Sequence, residues 1–304
     1  MKKQKSQNLS KKEKLKLVMA KYCLKSKKSI ELKTVSYREK LYLLAAFRAL
    51  TNESFNMILP LNNEGLFKTL SPNKDMDENI LDCLYSSDII LVNPGSDLDS
   101  FQFKNNKCVG FKVDEVSWIV NLSSQNGKRL ELSDCYRLIY DNLTKFVPTS
   151  EKERNQVYSF TMNLALNEVE SYIQFKMDEL NYRYELGKKT YIYIFQLLNF
   201  LSVSEIYDII DKAIDVDYLS NSRIELKTKC YGSGISSNLL ELGEMAKREE
   251  LSIKKMPRKK SLNRSELSRV FYQLIHMGGD EGFVNCPIDF WNETLTNCYT
   301  STSE

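Results

Sequence analysis

The chain has 304 residues, enough for two cores, because a single core stops growing near ~250 residues and domains cluster at roughly 100 to 150. Its composition, 42% hydrophobic and 27% charged, is that of a globular protein, and its most apolar run, Tyr191 to Leu201, is broken by Gln196 and Asn199 and falls short of the ~20 residues a membrane span needs. His276 is the only histidine, so histidine-rich metal sites are excluded and a Ser-His or Cys-His nucleophile pair would have to use that one imidazole.

The net charge of +3 hides an asymmetry. Met1 to Lys28 holds eleven lysines against the single acid Glu13, a local +10, so the rest of the chain carries about −7. Residues 1–30 are therefore expected to form a solvated, lysine-rich arm that meets phosphates or an acidic partner through charge, with Lys11, Lys12, Lys14 and Lys16 as candidate contacts. No long apolar stretch follows it, so a secretion signal is not expected. The seven cysteines lack paired spacing and read as buried thiols in a reducing, cytoplasmic setting.

Helix starts can be read from one pattern. In Ser-x-x-Glu the serine hydroxyl accepts from the N3 amide while the glutamate reaches back to the serine N–H, and both orphan donors are satisfied. The pattern occurs at Ser10/Glu13, Ser36/Glu39, Ser150/Glu153 and Ser202/Glu205, with Asn263/Glu266 as a variant. The first predicts a short basic helix within the arm, and the second opens YREKLYLLAAFRAL, with Leu41, Leu44, Ala45 and Arg48 at helical spacing. In DMDENILDCLYSS, Met76, Ile80, Cys83 and Leu84 share a face; FQF, the polar turn KNNK and CVGFKVDEVSWIVNL then read as strands.

Helix, helix and hairpin over residues 36–122 resemble a winged helix in element order. In a DNA reader of that type a helix would enter the groove, but here that helix carries Asp75, Asp77, Glu78 and Asp82, which phosphates repel. The module at 31–148 is therefore expected to contact protein.

A third helix near 133–146 leads to VPTS, the expected domain boundary. Beyond it, residues 149–304 read as a helical domain. Met162, Leu166, Val169, Ile173, Met177, Leu180 and Tyr184 predict one helix over 151–185, roughly 50 Å long at 1.5 Å per residue. KKTYIYIFQLLNFL suits the centre of a bundle, the next helix presents Val203, Ile206, Tyr207, Ile210 and Ile214, and further helices are expected near 237–251 and 264–277. Between these last two, Lys254, Lys255, Arg258, Lys259, Lys260 and Arg264 flank Pro257 and form a second candidate phosphate contact, in which the arginines could make forked bonds. The expected fold class is mainly α: an α+β, winged-helix-like N-terminal module followed by an all-α domain.

One further stretch carries possible chemistry. In DYLSNSRIELKTK, Asp217, Glu225 and Lys227 resemble the PD-(D/E)xK restriction-type nucleases, in particular their mismatch-repair branch; the resemblance implies two carboxylates on Mg²⁺ and a lysine orienting water. Glu-Leu-Lys also occurs at 31–33 with no Asp before it, and the residues ahead of Asp217 read as helix, so a structural role is the expected one. The leading expectation is a non-enzymatic, cofactor-free protein that binds nucleic acid or an acidic protein surface, as an accessory component of a bacterial mobile-element or defence system. The alternatives are a Mg²⁺-dependent nuclease and a scaffold with no nucleic-acid contact.

Overall fold

All four Ser-x-x-Glu starts form. At Ser10, Ser36, Ser150 and Ser202 the hydroxyl accepts from the N3 amide and the N3 carboxylate accepts from the serine N–H. The Asn263 variant does not: Ser265 caps that helix instead, accepting from the amide of Ser268, while Glu266 turns toward Arg269. The structure, a computed structural model, describes residues 9–124, 126–181, 186–221, 234–276, 278–289 and 291–292. It is mainly α-helical, 55% helix against 8% strand, with a small α+β part. The chain divides into two compact units, Met1–Lys145 and Phe146–Glu304.

Unit 1 is built round one helix. After α1 (Lys11–Lys21) and the short β1 (Ile30–Glu31), α2 (Tyr37–Ala49) buries Leu41, Leu43, Leu44, Ala45, Ala46 and Phe47 completely. The sequence showed a stripe; the structure covers nearly the whole circumference, because α3 (Lys74–Ser86) and α4 (Leu132–Thr144) both pack on α2. Between α3 and α4 lie β2 (Ile90–Val92), β3 (Phe101–Lys104), β4 (Lys107–Phe111), β5 (Trp118–Val120) and β6 (Leu122–Ser123). The β2–β5 pair is antiparallel with Val92 opposite Trp118, β1 runs parallel to β6, and the β3–β4 hairpin lies between β2 and β5 in the chain. Trp118, fully buried, packs against Tyr85 and Phe111 and joins α3 to the hairpin.

Unit 2 is built of helices, with a non-helical stretch between Lys247 and Glu266 and no strand among its described residues. Its spine, α5 (Glu151–Glu179), buries Val169, Tyr172, Ile173 and Met177 against α6 (Lys188–Leu197) and α7 (Val203–Asn221), and α8 (Ile235–Lys247) packs on both of these. The spine stops short of the expected residue 185: Leu180 caps it, and Asn181 takes the left-handed conformation at φ 53°, which asparagine tolerates better than other side chains. α6 is not the bundle centre that its composition suggested. Thr190, Ile194 and Leu197 face inward, but Ile192 and Phe195 are exposed.

The last expected helix also differs. α9 (Glu266–Ser268) runs directly into a π-helical turn at Arg269–Ile275, where the amide of His276 reaches back five residues to the Phe271 carbonyl. α10 (Glu281–Val284) follows, and Gly282 lets the Tyr272 ring lie against its backbone; a Cβ there would collide with that ring.

Candidate functional site

In unit 1 the lysine arm is not loose over its described part. Val18 of α1 is fully buried, Tyr22 packs on Phe101 and Phe111 at 5.6 and 5.8 Å, and Lys21 Nζ donates to the Cys108 carbonyl at 3.1 Å, so α1 is fastened along the β3–β4 hairpin. The expected solvated arm therefore becomes a docked helix from Lys11 onward. Lys14 is half-buried with its ammonium 5.3 Å from the Phe103 ring. Lys11, Lys12 and Lys16 are exposed and have no hydrogen-bond or ion-pair partner among the described residues.

Only Lys16 feels the one acid of the segment, and that acid is committed to the capping box. Glu13 is the one acid in this segment, and its Oε2 accepts from Ser10 N at 2.8 Å and from Ser10 Oγ at 2.6 Å. Those bonds hold its carboxyl below the usual range, so it stays charged but is directed back along its own helix end. The favourable place for an acid in the first turn thus serves the fold, while the lysines face solvent.

The basic segment of unit 2 meets a different fate. Arg258 donates through Nη2 to Glu168 Oε2 at 3.0 Å, and through Nε and Nη2 to the two oxygens of Asp280, both at 3.0 Å. Its side chain is 16% exposed, that of Glu168 only 5%, and its guanidinium lies 4.3 Å from the Phe283 ring centroid. Burial pushes the Glu168 carboxyl above its ordinary range even though Arg258 pulls it down. Arg264 is largely enclosed as well, its side chain 12% exposed, reaching Asp280 at 3.4 Å and the carbonyl of Ser268 at 3.3 Å. The forks that the sequence offered to phosphate are turned into the protein. Lys255 donates to the Val284 carbonyl at 2.8 Å, whereas Lys254, Lys259 and Lys260 have no side-chain partner among the described residues.

The remaining candidates are quickly placed. Asp217 belongs to the helical backbone of α7, and Glu225 and Lys227 lie outside the described residues. Among the described residues no cluster of three His, Cys, Asp or Glu could hold a metal, and no helix is long and apolar enough to cross a membrane. His276 ends the π-turn against Phe271, and Cys108, Cys135 and Cys286 are buried thiols; Cys230 and Cys298 lie outside the described residues. Each unit has a cleft: about 440 Å³ beside Glu31, Lys33, Ser123 and Asn142 in unit 1, and about 350 Å³ beside Glu205, Lys255, Asp289 and Asn292 in unit 2. Behind the first, Lys40 is buried and donates to Asn142 Oδ1 at 2.8 Å.

Compared with family models, with curated proteins and with solved structures, the chain gives no match.

Sequence reasoning missed two sets of charges. The acids that bind Arg258 lie 90 and 22 residues away, and no local pattern links them. Lys104 and Lys107 were read only as part of a polar turn. Their spacing carried a signal, because two residues flanking a two-residue hairpin turn must face each other across the strands.

Proposed function

We propose that the protein binds nucleic acid through the solvent face of α1, with Lys254, Lys259 and Lys260 of unit 2 as a second group of phosphate contacts. The observation that carries the reading is the set Lys11, Lys12 and Lys16, exposed on a docked helix whose only acid is held by its own cap. Charges fixed on a helix meet a phosphate chain without first losing the conformational freedom of a loose tail, and each contact releases a counterion. Such a surface follows the backbone and reads little sequence, which agrees with Asp75 and Asp82 standing exposed on α3.

The test is a salt titration of binding to a labelled duplex. Replacing Lys11, Lys12 and Lys16 together with alanine should reduce the slope of log affinity against log salt by roughly 0.9 for each lysine that contacts a phosphate. Substitution is the right probe, since deleting the segment would also remove Val18 and Tyr22 from the core of unit 1. An unchanged slope refutes the role of α1. Leu15 and Met19, 45% and 51% exposed one turn apart among these lysines, favour a second reading in which α1 docks on an acidic protein. Wild-type chain that binds neither DNA nor RNA at low salt would select it.

A further inference from the structure

We propose that the tip of the β3–β4 hairpin is a phosphate grip, in which Lys104 and Lys107 close on one backbone phosphate of the nucleic acid that α1 binds. The inference rests on the nucleic-acid reading above and adds residues that the basic N-terminal segment does not contain. Lys104 and Lys107 are directly opposite each other across the hairpin, joined by Asn105 and Asn106 at φ 51° and 57°. Two left-handed residues make the tightest hairpin turn, so the spacing of the two lysines is fixed by the backbone rather than chosen by the side chains. Opposite residues on such a pair have Cβ atoms about 4.5 to 5.5 Å apart, and like charges at that distance repel.

Among the described residues no acid pairs with either lysine to offset that repulsion. Both lysines are exposed, and among the described residues neither has a hydrogen-bond or ion-pair partner. Elsewhere on this unit exposed lysines do find acids: Lys27 meets Asp88 at 2.7 Å, Lys112 meets Glu115 at 2.8 Å and Lys74 meets Asp114 at 3.6 Å. The nearby acids of the hairpin's base, Asp97 and Asp99, precede β3 and leave the tip uncovered. A pair of ammonium groups held together at the end of a rigid hairpin suits a doubly shared anion, and a phosphodiester offers two oxygens to them.

The tip and α1 are neighbours that use the two faces of one hairpin. Lys14 lies over Phe103, the residue next to Lys104, while Tyr22 packs at the hairpin's base on Phe101 and Phe111. Lys21, at the other end of α1, donates to the carbonyl of Cys108, the residue paired with Phe103, so α1 lies across one face of the hairpin. Phe103 and Lys104 are successive residues of β3 and point to opposite faces, so Lys104 and Lys107 project from the face away from α1, and a strand that meets α1 reaches them by passing round the exposed tip.

The experiment compares four full-length chains on one fluorescein-labelled duplex and one labelled single-stranded RNA across a salt series: wild type, Lys104→Ala/Lys107→Ala, Lys104→Arg/Lys107→Arg, and Lys11→Ala/Lys12→Ala/Lys16→Ala. The alanine pair should weaken duplex binding about tenfold at low salt and reduce the slope by roughly 0.9, one phosphate contact's worth, while the arginine pair restores both. Its melting temperature should be equal to or above that of the wild type, because removing a like-charge pair relieves strain. If the helix triple variant loses slope and the hairpin pair does not, the grip is refuted and the nucleic-acid reading stands. If wild type binds neither nucleic acid, both fall.

Discussion

Two basic segments of similar sequence come to opposite ends in this molecule. In unit 1, Lys11, Lys12 and Lys16 stay in water on a helix whose single acid is held at its cap; in unit 2, Arg258 and Arg264 are drawn inside by Glu168 and Asp280. Local charge density does not decide the outcome. The decisive factors are the side-chain chemistry and the acids the fold brings near: a guanidinium is weakly hydrated and fork-shaped, so it can be buried between carboxylates, whereas an ammonium holds its water.

Removing Arg258 should be the most destructive single change. Arg258→Met leaves Glu168 buried beside a neutral side chain, and breaking a buried pair from one end costs about 3 to 5 kcal/mol. Glu168→Gln/Arg258→Met should recover part of the loss, whereas Lys11→Met in unit 1 should stay within about 0.5 kcal/mol. Urea unfolding followed on the two tryptophans separates the units, since Trp118 lies in unit 1 and Trp291, 5.7 Å from Tyr158, in unit 2. Equal effects at Arg258 and Lys11 would erase the distinction.

The units should also answer acid differently. Burial pushes the His276 imidazole down to about 4. A base whose pKa is depressed on folding contributes stability above its unfolded value of about 6.5, and that contribution is lost as pH falls toward 4; at about 1.4 kcal/mol per unit it amounts to at most ~3 kcal/mol. In unit 1 the sign reverses for Asp77, whose carboxyl burial raises to about 6 in spite of a 2.7 Å bond from the Ser71 amide. A raised acid stabilises at low pH and loses that effect as pH rises through 6. Between pH 6.5 and 4.5, His276→Gln should therefore gain on wild type in the Trp291 signal, and Asp77→Asn should lose its advantage in the Trp118 signal. Parallel curves for wild type and His276→Gln would place the imidazole in contact with water.

The contrast also shows which features could be read from sequence. The four capping boxes, the KNNK turn and the stripe of the spine are local, set by neighbours three or four residues apart, and each appears in the structure. The end of the spine was misplaced, because the apolar stripe continues to Tyr184 while the backbone turns at Asn181. At Ser265 the wrong cap was chosen, since Asn263 and Ser265 are both competent and only packing of the buried Glu266 decides. The orientation of Arg258 was out of reach: its partners come from α5 and from the residue before α10, and burial of an ion pair depends on contacts between distant elements. On the candidate site, the helical lysines were legible by charge, while the hairpin pair required knowing that Lys104 and Lys107 face each other.

The smallest effects come from the caps themselves, and they test whether one motif has one value. Ser36 is exposed, and its Oγ accepts from the Glu39 amide at 3.3 Å; Ser202 makes the same bonds but is fully buried. Ser36→Ala removes an acceptor that water can replace and should cost about 1 kcal/mol, within the usual range of 0.5 to 2. Both changes strip a hydroxyl bond from the glutamate carboxylate, at 2.6 Å for Ser36 and 2.7 Å for Ser202, but at the buried Ser202 water replaces the lost acceptor less readily, so the cost should approach ~2 kcal/mol. Both substitutions leave the lysine surface untouched, so the salt slope of nucleic-acid binding should not move with either. Thermal melts with the two tryptophan reporters check the order: if Ser36→Ala costs as much as Ser202→Ala, burial does not set the value of the cap.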